Sequence, residues 1–150
     1  MRTVLTALLL AFACGGQPEI TPPERDPTVN GDWSGSFGPI TVRYSLREAE
    51  GAITGNLEFV AINLVEGSGS VQGTRTGQRI ELRADEAHFV ELALDAQMTG
   101  SATFGGTQSG DEITGEFGFR ATGTDPESGR PFAVEIQPGP APVTLVRLRR

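Results

Sequence analysis

The stretch Ile53-Thr54-Gly55-Asn56-Leu57-Glu58-Phe59 returns twice, as Met98-Thr99-Gly100-Ser101-Ala102-Thr103-Phe104 and as Ile113-Thr114-Gly115-Glu116-Phe117-Gly118-Phe119. The shared pattern is apolar-Thr-Gly-x-apolar-x-Phe. In an extended chain, successive side chains point to opposite faces, so the first, third, fifth and seventh positions share one. That face is apolar apart from the glycine at its second place. A glycine at an inward position lets a neighbouring strand approach and the sheet coil sharply, as a barrel corner demands. Three copies therefore read as repeated hairpin geometry rather than as three copies of a binding element.

Working outward, Ile40, Val42, Tyr44 and Leu46 alternate with Thr41, Arg43, Ser45 and Arg47, a period of two with one buried face. Glu50-Gly51 reads as a turn, and Ile80 and Leu82 alternate with Arg79, Glu81 and Arg83. The cleanest alternation runs from Val90 to Met98, with Val90, Leu92, Leu94, Ala96 and Met98 on one side, and predicts a strand. Phe132, Val134 and Ile136 form a late strand. After the Pro138-Gly139-Pro140-Ala141-Pro142 break comes a last one from Val143 to about Arg149. For that strand, Val143/Leu145/Arg147 and Thr144/Val146/Leu148 are both acceptable inward sets. No segment carries a helical period, and the 20 glycines supply tight turns. The expectation is an all-β fold: an antiparallel up-and-down β-barrel of about 8–10 strands over residues 31–150. Its inward aromatic set is Phe37, Tyr44, Phe59, Phe104, Phe117, Phe119 and Phe132.

The start of the chain reads differently. Arg2 precedes an apolar run from Val4 to Ala13, followed by Cys14 and Gly15-Gly16. This is the layout of a secretory signal peptide over residues 1–13, far shorter than the about 20 residues of a membrane-spanning helix. Leu10-Ala11-Phe12-Ala13-Cys14 resembles the lipobox of bacterial lipoproteins, with Ala11 where that family prefers leucine. The resemblance implies a diacylglyceryl thioether on Cys14, a fatty acyl (palmitate-type) anchor, and, with Gly15 following, sorting to the outer membrane. Ala11-Phe12-Ala13 also satisfies the rule for ordinary cleavage, which would leave a secreted or periplasmic soluble protein. The lone cysteine of an exported chain is better explained by acylation. Residues 14–30 then hold the lipidated cysteine and a flexible tether: four prolines, polar residues and almost no large apolar group.

Gly31-x-Trp33 at the head of a run of antiparallel strands, with an arginine on the last strand, resembles the lipocalin and avidin group of calycin-type barrels. The resemblance implies that Trp33 packs near a closed end beneath Arg147 or Arg149, with Gly31, Trp33 and Arg147 as the barrel-closing motif. Avidin-type biotin sites use several tryptophans and this chain has one, so biotin is not the expected ligand.

These readings carry two functions. In the first, the barrel holds a small apolar ligand in the cell envelope. In the second, a barrel filled by its own side chains serves as an interaction module for an envelope protein, with an exposed apolar patch on its surface. Nineteen acidic against twelve basic residues, all of the latter arginine, give a net charge of −7. That balance excludes a nucleic-acid partner, which needs a basic face. His88, within Asp85-Glu86-Ala87-His88-Phe89-Val90-Glu91, is the one imidazole. Its surroundings read as a solvated loop entering a strand, not as a metal or acid–base site. Ser109-Gly110-Asp111-Glu112 and Asp125-Pro126-Glu127-Ser128-Gly129 read as hairpin loops. No catalytic residue, metal site or cofactor is expected, and the chain is not read as an enzyme.

Overall fold

The computed structural model describes residues 28–136 and 139–149. Nine strands follow in order: β1 (Gly31–Phe37), β2 (Ile40–Ala49), β3 (Ala52–Ala61), β4 (Val65–Thr76), β5 (Arg79–Glu91), β6 (Ala96–Ser109), β7 (Glu112–Thr124), β8 (Pro131–Glu135) and β9 (Ala141–Arg147). Strands β1 to β7 form a continuous antiparallel meander, and β9 sits between β7 and β1 to close the ring. Strands β8 and β9 share one edge of β7. The former pairs with its second half, Arg120 to Thr124, and the latter with its first half, Glu112 to Phe117. The fold is an all-β, up-and-down barrel.

The repeated heptapeptide lies where its pattern requires. Ile53, Leu57 and Phe59, Met98, Ala102 and Phe104, and Ile113, Phe117 and Phe119 are all buried. The glycine between them makes room for backbone, not for a ligand. A Cβ on Gly55, Gly100 or Gly115 would lie 2.1 Å from a carbonyl oxygen of the neighbouring strand. Tyr44, Phe59, Phe104, Phe117 and Phe119 point inward, while Phe37 and Phe132 pack against the core from half-buried positions. On the last strand Val143 and Leu145 are the buried pair.

Three expectations need correction. The Val90–Met98 strand does not exist: β5 ends at Glu91, residues Leu92 to Asp95 turn, and β6 begins at Ala96. A β-bulge between Ala84 and Ala87 reverses the phase of β5, so Ala87 and Phe89 face inward while Val90 does not. Leu92 and Leu94 are 41% exposed in the turn. His88 therefore stands in a strand rather than a loop, opposite Ser68 and Thr99 on the outer surface. Finally, the tether does not reach residue 30. Val29 is fully buried against the barrel, so Thr28 to Asn30 belong to the fold.

Candidate functional site

The two ends of the barrel differ in chemistry. The base carries the β2–β3, β4–β5 and β6–β7 turns and the entry of the chain at Thr28. Here the ends of β4, β6 and β9 are tied to neighbouring turns by backbone bonds, Arg75 N–H to Gly51 O (2.8 Å), Gln108 N–H to Gln78 O (2.8 Å) and Arg147 N–H to Asp111 O (2.9 Å). The crown carries the turns after β1, β3, β5 and β7. There Ile62 N–H donates to Pro39 O (3.1 Å) and Leu92 N–H to Leu64 O (2.8 Å).

At the base, the sequence-selected Trp33 and Arg147 meet. The tryptophan is fully buried, and the guanidinium carbon of Arg147 lies 4.6 Å from its ring centroid. Such a contact contributes about 0.5–2 kcal/mol, more as the pair is desolvated. Trp33 Nε1–H donates to Val29 O at 2.8 Å, which pins the short segment before β1 across the barrel mouth. Val29 N–H donates to Glu48 Oε2 (3.0 Å), and Glu48 N–H to Asn30 Oδ1 (2.6 Å). The same carboxylate pairs with Arg75 Nη1 at 3.2 Å, with both side chains largely buried. Arg147 and Gln108 both donate to Thr28 O. Arg147 also lies 3.2 Å from Asp111 Oδ1, an ion pair that leaves its Nε–H without a hydrogen bond. Arg149, the other arginine considered for the motif, pairs with Asp111 (3.3 Å) on the surface. Gly31 opens β1 at a φ of +125°, outside the range of ordinary side-chain-bearing residues. These residues meet at the base, and neither Val29 nor Gln108 stood out in the sequence. Cys14 lies outside the described residues.

The interior between the ends is packed with rings. Phe59 lies 4.8 Å from Phe119 and 5.7 Å from Phe117, and meets Phe89 edge-on at 6.0 Å. Phe89 lies 4.6 Å from Phe119, and Tyr44 meets Phe104 at 6.0 Å. Phe89 was concealed from sequence by the bulge. Burial pushes the Tyr44 phenol far above its ordinary value. A cleft of about 1130 Å³ opens on the outer side of β1, β2 and β3. Its lining mixes polar side chains, including Asp32, Ser45, Arg47 and Thr54, with apolar surface from Leu46, Ala49, Ala52 and Leu148.

The crown carries the larger group of exposed apolar side chains. Ile62 and Leu64 in the β3–β4 turn are 59% and 54% exposed, with Val60 (38%) just below, and Leu92 and Leu94 stand in the adjoining turn. Asn63 and Asp95 hold those turns at φ of 60° and 49°, a left-handed geometry that Asn and Asp tolerate. The β7–β8 loop is organised by Asp125, whose carboxylate accepts from Glu127 N–H (2.8 Å), Ser128 N–H (3.2 Å) and Ser128 Oγ (2.7 Å). The Ser128 hydroxyl and these amides hold its pKa below the usual 3.8. Along the strands, Arg43, Glu58, Ser68, His88 and Thr99 form one polar cross-strand row, whereas Val146 (45%) and Leu148 (48%) are exposed at the base end of β9. An apolar interior with a polar exterior is the reverse of a membrane-spanning barrel, whose outer face is apolar. His88 gathers no set of three possible ligands, and no such group occurs among the described residues.

Comparison with known proteins finds no family model, no curated sequence and no solved structure that matches this chain.

Proposed function

We propose that the chain is an exported lipoprotein, held at the outer membrane through Cys14, whose filled barrel acts from its outer surface as a protein-interaction module. The observation that carries this reading is the packed interior. Phe59, Phe89, Phe117 and Phe119 contact one another across the space a carrier would leave for its cargo. Such a barrel has its chemistry on the outside, and the exposed Val60, Ile62, Leu64, Leu92 and Leu94 cluster there at one end. The chain enters at the opposite end, at Thr28, so a tether running from Cys14 meets the base. At full extension the tether reaches on the order of 50 Å, enough for the crown to stand clear of the anchoring bilayer.

A second reading, a small apolar ligand held within the barrel, is favoured by the lipocalin-like Gly31, Trp33 and Arg147. It also draws on the half-buried Phe37, Ile40, Phe132, Val134 and Ile136 around the upper edge. It requires that rings now in contact move apart. Chemical crosslinking in intact cells tests the first reading: a discrete protein adduct is expected, reduced in Cys14→Ser, and recovery of no partner would overturn it. The anchor has its own check in the mass of the mature N-terminus, where a free Cys14 thiol would remove it.

A further inference from the structure

We propose that the β3–β4 and β5–β6 turns form one docking knob that enters an apolar recess bordered by arginine or lysine on a partner protein. This rests on the interaction-module reading and names its surface and the chemistry of its partner. The two turns are one unit, because Leu92 N–H donates to Leu64 O at 2.8 Å. Ile62, Leu64, Leu92, Ala93 and Leu94 are exposed on it, whereas Phe59, Ala61, Val65 and Phe89 in the same hairpins are buried. Apolar side chains at hairpin tips do nothing for the core, and leaving them in water forgoes the burial energy that folding normally recovers.

Charge decides between the possible occupants. Glu66, Glu91 and Asp95 border the knob, and the residues from Ile62 to Glu66 and from Val90 to Gln97 contain no cation. Glu66 and Asp95 have no ion-pair partner among the described residues. At the other end Arg75 and Arg147 are paired with Glu48 and Asp111, and the one arginine in the crown turns, Arg130, stands in the β7–β8 loop. A second copy docking knob to knob about a two-fold axis would bring these carboxylates against their own equivalents. An anionic bilayer repels the same rim, and the chain joins its anchor at the far end of the barrel. A partner with an apolar recess and a basic border satisfies both the leucines and the carboxylates.

The test uses the full-length chain in its bacterium, with a photoreactive residue replacing Leu64, Leu94, Thr54 (outer cleft) or Thr76 (base) in turn. Leu64 and Leu94 are expected to give a protein adduct about tenfold stronger than Thr54 and Thr76. The captured partner peptide should carry apolar residues beside arginine or lysine. Combining Glu66→Arg with Asp95→Asn, which keeps a residue tolerant of the left-handed turn, should lower adduct yield about tenfold. Unchanged Trp33 emission reports that this variant is folded. An adduct at twice the chain mass, a lipid adduct, or a yield indifferent to the charge change overturns the proposal. Adducts from Thr54 or Thr76 alone overturn it while leaving an interaction module. No adduct from any position removes both.

Discussion

Replacing Phe59 with alanine tests whether the interior is packed. The ring is 1% exposed and touches Phe89, Phe117 and Phe119 at centroid distances of 6.0, 5.7 and 4.8 Å. A buried Phe→Ala change costs about 3–5 kcal/mol from lost transfer energy and the cavity left behind. Each aromatic contact adds about 0.5–1.5 kcal/mol beyond area, so three of them place Phe59→Ala near the top, at about 4–5 kcal/mol. A domain of this size has about 5–15 kcal/mol in total, so the variant remains measurable or fails outright. Phe59→Leu, which keeps much of the volume, should cost about 1.5 kcal/mol and preserves the test if alanine does not fold. The assay is urea unfolding followed by the emission of Trp33, the single tryptophan. The alanine variant should also gain a benzene-induced rise in Tm that the wild type lacks, since a dry apolar cavity binds such ligands. A cost below about 2 kcal/mol, or the same benzene response in the wild type, would refute the reasoning.

Further outcomes follow from the same packing. Gly115→Ala puts a Cβ 2.1 Å from Gly105 O and should cost about 1–3 kcal/mol in urea unfolding, whereas Gly105→Ala, with nothing within 4 Å, should stay within about 0.5 kcal/mol. Val29→Ala should cost about 2 kcal/mol and shift Trp33 emission to the red, because Val29 is fully buried and its carbonyl holds the indole N–H. The raised Tyr44 pKa makes the fold sensitive to alkali. Its contribution is complete below the unfolded value of 10.0 and is lost above it, because the unfolded phenol ionises first, at about 1.4 kcal/mol per pH unit. Circular dichroism against pH should show this loss in the wild type and less of it in Tyr44→Phe.

The heptapeptide repeat made the fold legible because its period matches the strand and its glycines sit on the inward face, where close backbone approach requires them. The same rule misled between Val90 and Met98. A bulge carries two residues against one, so the phase reverses at Asp85-Glu86, and a four-residue turn then leaves Leu92 and Leu94 alternating without a strand beneath them. That shift also concealed Phe89. Val29 looked like tether because a single apolar residue between Thr28 and Asn30 has no period; only tertiary contact with Trp33 and Glu48 makes it core. Trp33 and Arg147 could be paired from sequence by resemblance, but Gln108 and the Glu48–Arg75 pair could not, since 27 residues separate the latter two. The apolar knob was hidden for a related reason: Leu64 and Leu92 become neighbours only when β4 and β5 pair.

Titration of the wild-type barrel with an environment-sensitive fluorescent fatty acid tests the central claim most directly, because a filled interior and a carrier differ in that one property. The packed rings predict no saturable signal and no rise in Tm at any fatty-acid concentration below micelle formation. A saturable, stoichiometric enhancement that disappears when an inward residue such as Ala102 is enlarged to phenylalanine would contradict a filled barrel and return the apolar-ligand reading to first place.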